Sequence, residues 1–257
     1  MTGNLAGKFK PDLVIPFKLD KEAAMKGLLN HLSGKRLLPK VFRDQNHIEE
    51  VKGVYVPFWL YDCHADGSMG FDATRIRAWS DARYNYTETS YYFVTIEGDM
   101  SFANVPADGS KRMDDALMDS IEPYDFSDIQ PFAPGYLSGF VADRFDNDAD
   151  ACLPRASVRV KSSMETTFYN AINGGYATLT PSRSNIGLDQ TRVNYVLLPV
   201  YLINASYGGK QYTYAVNGQT GKIVGDLPVD KSKANRYLLS IAAGVAAALL
   251  VITTFLF

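Results

Sequence analysis

Gly53-Val54-Tyr55-Val56-Pro57-Phe58-Trp59-Leu60-Tyr61 is rich in β-branched and aromatic residues and reads as a strand with a proline inside it. Proline has no N–H to give a ladder, so an edge, a strand start or a bulge is expected near Pro57. A second stretch, Tyr195-Val196-Leu197-Leu198-Pro199-Val200-Tyr201-Leu202-Ile203, repeats the order aliphatic, proline, apolar, aromatic, leucine. Each copy follows a helical pattern and precedes a hairpin pattern, which predicts a duplicated helix-plus-meander unit. Helical stretches followed by strands on short turns define an α+β class of antiparallel sheets with packed helices, not a βαβ parallel sheet.

Working outward, residues 12–18 read as extended. Asp20 then caps a helix whose apolar positions Ala24, Met25, Leu28, Leu29 and Leu32 share one side, and Gly34 ends it. After the proline strand, a polar turn is expected at Ala65-Asp66-Gly67-Ser68, with further strands at 70–79, 84–97 and 100–106. Tyr84, Tyr86 and Tyr91-Tyr92-Phe93 read either as an aromatic binding strip or as cross-strand aromatic pairs of a meander, the commoner cause. Helices are predicted at 111–120, at 134–145, and from Asp148 or Pro154 to Ile172, where Pro154 either starts the helix or kinks it.

Residues 237–257 carry no charge. As a helix they span about 31 Å, enough to cross the hydrocarbon core of a bilayer. Lys231, Lys233 and Arg236 stand just before them. The predicted anchor comprises Tyr237, Leu238, Leu239, Ile241, Val245, Leu249, Leu250, Val251, Ile252, Phe255, Leu256 and Phe257, and the three cations form its flank. Lys and Arg beside a span favour the cytoplasmic side, so a single-pass tail anchor with a cytoplasmic body is expected. The small residues around Gly244, from Ala242 to Ala248, would let a second helix approach and the anchors self-associate. Residues 1–11 show no secretory signal and read as a flexible segment. The expected divisions are therefore 1–11, a first α+β unit at 12–110, a second at 111–228, and the flank and anchor at 229–257.

Composition is that of a folded domain, 46% hydrophobic and 21% charged. All 28 acidic residues precede Lys231 while three of the 26 basic ones form the flank, leaving five net negative charges on the body. That balance argues against a nucleic-acid surface. Cys63 and Cys152 are the only cysteines and form no CxxC pair. Cys63-His64 invites a metal, yet adjacent side chains on a strand point to opposite faces. Asn217-Gly218-Gln219-Thr220-Gly221-Lys222 ends like a phosphate-binding loop, but Val216 stands where its first glycine belongs and Ile223 where Ser or Thr is required. It reads as a β-hairpin tip. Asp143, Asp146, Asp148 and Asp150 lack EF-hand spacing and are read as helix-capping and dipole-complementing carboxylates. No GxSxG, HExxH or GxGxxG stands in a suitable setting, so no catalytic residue, cofactor site or metal site is assigned.

Four stretches occur in the order Phe9-Lys10-Pro11-Asp12-Leu13-Val14-Ile15-Pro16-Phe17, Gly53-Val54-Tyr55-Val56-Pro57-Phe58-Trp59-Leu60, Glu122-Pro123-Tyr124-Asp125-Phe126 and Asn217-Gly218-Gln219-Thr220-Gly221-Lys222. In these the chain resembles a family of bacterial TFIIB-type zinc ribbon-containing membrane proteins, nearly end to end. The resemblance implies a C-terminal membrane helix and brings no established activity; the helicase label some members carry does not transfer, because there is no Walker A loop. Members usually begin with paired CxxC motifs, whereas this chain has no cysteine before Cys63. Zinc is expected only if such a ribbon precedes Met1. The resulting expectation is a non-enzymatic protein-binding or scaffold module held at a lipid bilayer. The alternative is an enzyme of unrecognised type, with hydrolase the least specific guess, whose cleft is assembled from distant residues.

Overall fold

The computed structural model describes residues 10–43 and 48–256. The expected flexible segment lies outside them except for Lys10 and Pro11, as do His47 and Phe257. The class is α+β: among the described residues there is one mixed sheet and four helices, the last long and apolar enough to cross a membrane.

Strand β1 (Leu13–Val14) precedes α1 (Lys21–Ser33). The Asp20 carboxylate accepts the Ala23 N–H at 2.7 Å, satisfying one of the orphan donors of the first turn. Two long strands follow, β2 (Ile48–Ser80) and β3 (Asn85–Asp108), then the short helix α2 (Asp115–Ser120) and the two-residue strands β4 (Gln130–Pro131) and β5 (Val141–Ala142). Helix α3 (Ala149–Ile172) leads to β6 (Thr178–Tyr207), β7 (Lys210–Asn217) and β8 (Ile223–Gly225). Among the described residues the sheet runs β3-β2-β6-β1-β4, with β5 on β2 and β7 linking β6 to β8. It is antiparallel except where β1 joins β6 and β5 joins β2.

The two proline stretches lie side by side. Pro57 is opposite Leu197, Tyr55 opposite Pro199 and Val56 opposite Leu198, so equivalent positions exchange as across a two-fold axis. The Gly109 N–H donates to the Pro57 carbonyl at 2.9 Å, and the Gly218 N–H donates to that of Pro199 at the same distance. Before each glycine a buried side chain closes a local turn: Asp108 Oδ1 accepts the Ser110 N–H, and Asn217 Oδ1 accepts that of Gln219. Helix α1, which precedes β2, packs on Tyr201, Ile203, Tyr214 and Val216 of β6 and β7. Helix α3, which precedes β6, buries Cys152, Ala156, Val160, Met164 and Phe168, spaced by four on one face, against β2 and β3. Residues on both sides of the expected 110/111 boundary thus build one sheet and exchange helices.

Several expectations at the level of elements are corrected. Pro57 lies inside β2, not at its edge; its missing donor points to the gap where β3 has ended at Asp108 and β5 has not yet begun. The polar turn at residues 65–68 is continuous strand, paired on both sides, because Gly67 lets the chains close in: a Cβ there would lie 2.8 Å from the Ile186 Cα and closer still to the Asn185 carbonyl. The predicted strands at 70–79, 84–97 and 100–106 are accordingly parts of β2 and β3. The helix expected at 134–145 is a single 3-10 turn, Pro134–Leu137, broken at Gly139 (φ 85°) so that Phe140 can stack on Phe17. The one expected at 111–120 begins only at Asp115, capped by Asp114. Pro154 does not start α3, which begins at Ala149 behind the Asp148 cap, and sits in its second turn.

Candidate functional site

At Asp62 both neighbouring strands lose register. On β3, Ala103 and Asn104 together face it, with Asn104 at φ 56° and its N–H on the Asp62 carboxylate at 2.9 Å. On β6 the extra residue is Thr191, whose hydroxyl donates to the Asp62 carbonyl at 3.0 Å. Bulges in both neighbours along one row mark where the body of the sheet gives way to an arm. Face by face, Tyr61, Cys63, Ala65, Met69 and Phe71 lie beneath α3, while the alternate residues from Asp62 to Thr74 occupy the opposite face.

Past the Thr74–Thr178 pair β6 has ended, and residues 75–90 continue as a two-stranded ribbon of β2 and β3. Its turn, residues 81–84, is tied by Asp81, which accepts the N–H groups of Arg83 and Tyr84 and the Tyr86 hydroxyl. These bonds to the charged form hold its carboxyl below the ordinary aspartate range. Trp79 stacks on Tyr86 at 5.5 Å, and Arg75 and Arg77 lie over Tyr92, Tyr176 and Trp79. Cross-strand pairing therefore accounts for part of the aromatic cluster. It does not cover it: Tyr84, Tyr91 and Phe93 are 65%, 81% and 61% exposed, and Trp79 is 45% exposed. Exposed apolar surface concentrated on one projection marks an interaction site more often than scattered residues do. Trp79, Arg75 and Arg77 carry no signal when strands are read singly; what flags them is Trp79 and Tyr86 flanking the Asp81-Ala82-Arg83 turn.

The second exposed apolar element is α4 (Lys231–Leu256). Within Lys231–Thr254 an 18-residue window reaches a mean hydropathy of 2.1, and none of that window is buried against the other described residues. Tyr237, Leu238, Leu239, Ile241, Val245, Leu249, Leu250, Val251 and Ile252 all stand exposed, and helix backbone continues through Leu256. In a helix every backbone group is satisfied within the segment, the condition for entering hydrocarbon. The flank is not three free cations. Lys233 donates to the Leu38 carbonyl at 2.6 Å and the Asp230 N–H donates to that of Leu37, fixing the root of α4 to the loop after α1. Arg236 folds back on the Ser232 carbonyl, so neither of these two side chains is left to solvent alone.

Among the described residues, those that an unrecognised catalytic centre would assemble do not converge. Cys63 and Cys152 are buried in the α3 core, where burial raises the first thiol and pushes the second up to about 11. His64 lies on the opposite face of β2, 3.3 Å from the Ser101 hydroxyl, and His31 is on α1. Asp143 is bound by Ser110 and Arg112, Asp146 by the Lys111 N–H, and Asp148 caps α3. Among the described residues no group of three or more His, Cys, Asp or Glu could hold a metal. A cleft of about 750 Å³ beside Phe17, Tyr55, Phe140 and Tyr201 has Lys18, Lys21 and Lys52 on its walls and one acid, Asp20, already committed to capping α1. Asp108 takes the place in its turn that Asn217 takes in the matching one, but as an acid. It is buried, its Oδ2 has no partner among the described residues, and burial pushes its carboxyl up to about 7.

No family model matches the chain. Over 249 residues it is 28% identical to a Bacillus subtilis (strain 168) protein described as "Uncharacterized protein YdjG", a match covering 97% of this chain and 73% of that one. No solved structure matches. The comparisons lend the zinc-ribbon resemblance no support.

Proposed function

We propose that the chain is a single-pass membrane protein whose body, on the cytoplasmic side, is a non-enzymatic module that binds protein partners through its arm. The arm carries the reading: Trp79 and Tyr84 stand exposed on a ribbon with both edges open, and Tyr91 and Phe93 stand exposed on the β3 edge at its base, on a body whose two thiols are buried in the α3 core away from the described histidines. Such a ribbon is marginal alone and gains most by adding a strand or an apolar partner. The bare apolar surface of α4 supports membrane residence, and Lys231 and Arg236 before it support the cytoplasmic orientation. An N-terminal zinc ribbon belongs to this proposal only if paired CxxC motifs are encoded ahead of Met1. The test is crosslinking of the full chain in its membrane, beside a variant in which residues 77–88 are replaced by an Asn-Gly turn. Partners lost on shortening the arm support the module; an unchanged set of partners refutes it.

A further inference from the structure

We propose that the partner strand is a second copy of this chain, the outer edges of the two β3 strands pairing antiparallel about a two-fold axis at Phe93. This rests on the arm being the binding element.

The two outer edges of the arm are built differently. The β6 edge, residues 178–193, carries Pro181, Arg183 and Arg192 and loses register at Ser182 and Thr191. Proline, bulges and charges are the devices by which proteins blunt an open edge. The β3 edge has neither proline nor bulge: residues 85–102 hold no proline, lysine or arginine, pair with β2 in unbroken register from Ser80–Asn85 to Cys63–Phe102, and carry their three charges, Glu88, Glu97 and Asp99, outside the middle of the strand. Among the described residues no hydrogen bond joins the backbone of 85–102 to anything but β2. Its middle, Thr89-Ser90-Tyr91-Tyr92-Phe93-Val94-Thr95-Ile96, is uncharged, β-branched and aromatic. Left in water, such an edge is a template for strand addition. One guarded edge beside one unguarded edge on the same arm is what a protein that covers the second would show.

Symmetry and charge select the occupant. A closed antiparallel pair of identical strands sets residues of the same face opposite each other. On β3, Glu88 lies on the face toward α3, whereas Glu97 and Asp99 lie on the other. With the axis at Phe93, Glu88 meets Gly98, Glu97 meets Thr89 and Asp99 meets Thr87, so no acid faces an acid. Phe93 meets its own copy, Tyr92 meets Val94 and Tyr91 meets Thr95, the aromatic and β-branched combinations that favour cross-strand contact. Copies held in one membrane plane by α4 also meet at a raised effective concentration. Where a Cβ would stand at Gly244 there is open space, so neighbouring anchors have room to approach.

The test uses full-length chain, labelled with donor or acceptor fluorophore, in vesicles of phosphatidylcholine and phosphatidylglycerol. Wild-type copies should show energy transfer. Phe93→Lys or Phe93→Glu alone, each changing an exposed side chain, should weaken association by about tenfold or more, because like charges meet on the axis. Mixing the two variants should restore it. Transfer unchanged in Phe93→Lys assigns association to α4 or another surface and overturns the pairing, as does failure of the mixed pair to recover. A wild type that shows no transfer yet captures partners through its arm also refutes the pairing while leaving the binding module intact.

Discussion

Replacing Asp108 by asparagine should make the protein more stable above pH 7 and change little near pH 4. Asp108 is 1% exposed, one of its carboxylate oxygens has no partner among the described residues, and burial is the main cause that lifts it from 3.8 to about 7. Below pH 4 the group is protonated in folded and unfolded chains alike and its titration contributes nothing. Between about 4 and 7 the unfolded chain ionises while the folded one keeps its proton, so stability falls by about 1.4 kcal/mol per pH unit. Above 7 both states are ionised and the loss is complete, at about 4 kcal/mol. Asparagine does not titrate, and Asn217 shows that an amide serves in the symmetric position: it keeps the turn-closing oxygen, and its nitrogen donates to the Ile121 and Pro123 carbonyls. Trp59 supplies the assay, since its indole touches Gly109 and donates to the Asn147 carbonyl. In a Trp79→Phe background its emission follows denaturation at several pH values. The difference in stability between Asp108→Asn and the parent should grow across pH 4 to 7 and then level. A difference that stays flat across that range would refute the reasoning.

Three further outcomes are expected. Gly67→Ala should cost about 1–3 kcal/mol, because its Cβ would press on the Asn185 carbonyl and lie 2.8 Å from the Ile186 Cα, and a drop in thermal midpoint smaller than that of an exposed control such as Gly174→Ala would count against it. Arg159→Met should cost about 1–3 kcal/mol, because its guanidinium binds both oxygens of the largely buried Glu122 and the Pro106 carbonyl, and a denaturation midpoint unchanged from the parent would count against it. Lys233→Ala should free the root of α4 at a cost of about 1–2 kcal/mol, read as faster amide exchange at Asp230 and Ala234, with no change in how the protein partitions into membranes.

The elements legible in the chain are those specified locally. The Asp20 and Asp148 caps, the four-residue spacing along α3, the Asn217–Lys222 hairpin and the charge-free run of the final helix each follow from residues within one or two turns of one another. The long strands are not legible because Asp66-Gly67-Ser68 and Glu97-Gly98-Asp99 have the composition of turns. Their polarity belongs to a face that no described helix covers, Gly67 to close approach between strands and Gly98 to the seat of Phe168 of α3, all properties of the packed sheet and not of the segment. Placing Pro57 near an edge follows from its missing donor, but a gap between two neighbours meets the same need inside a sheet. The exposed aromatics of the arm can be found as a cluster; that they pair and still remain open depends on where β6 ends.

Accessibility of single cysteines in intact membranes tests the central claim directly. Cys63 and Cys152 are buried, so they add little background. Leu249→Cys should resist a water-soluble maleimide until the bilayer is dissolved, and Thr87→Cys on the arm should react at once in opened cells but not from outside intact ones. Ready labelling of Leu249→Cys in intact membranes would place α4 in water and contradict the account.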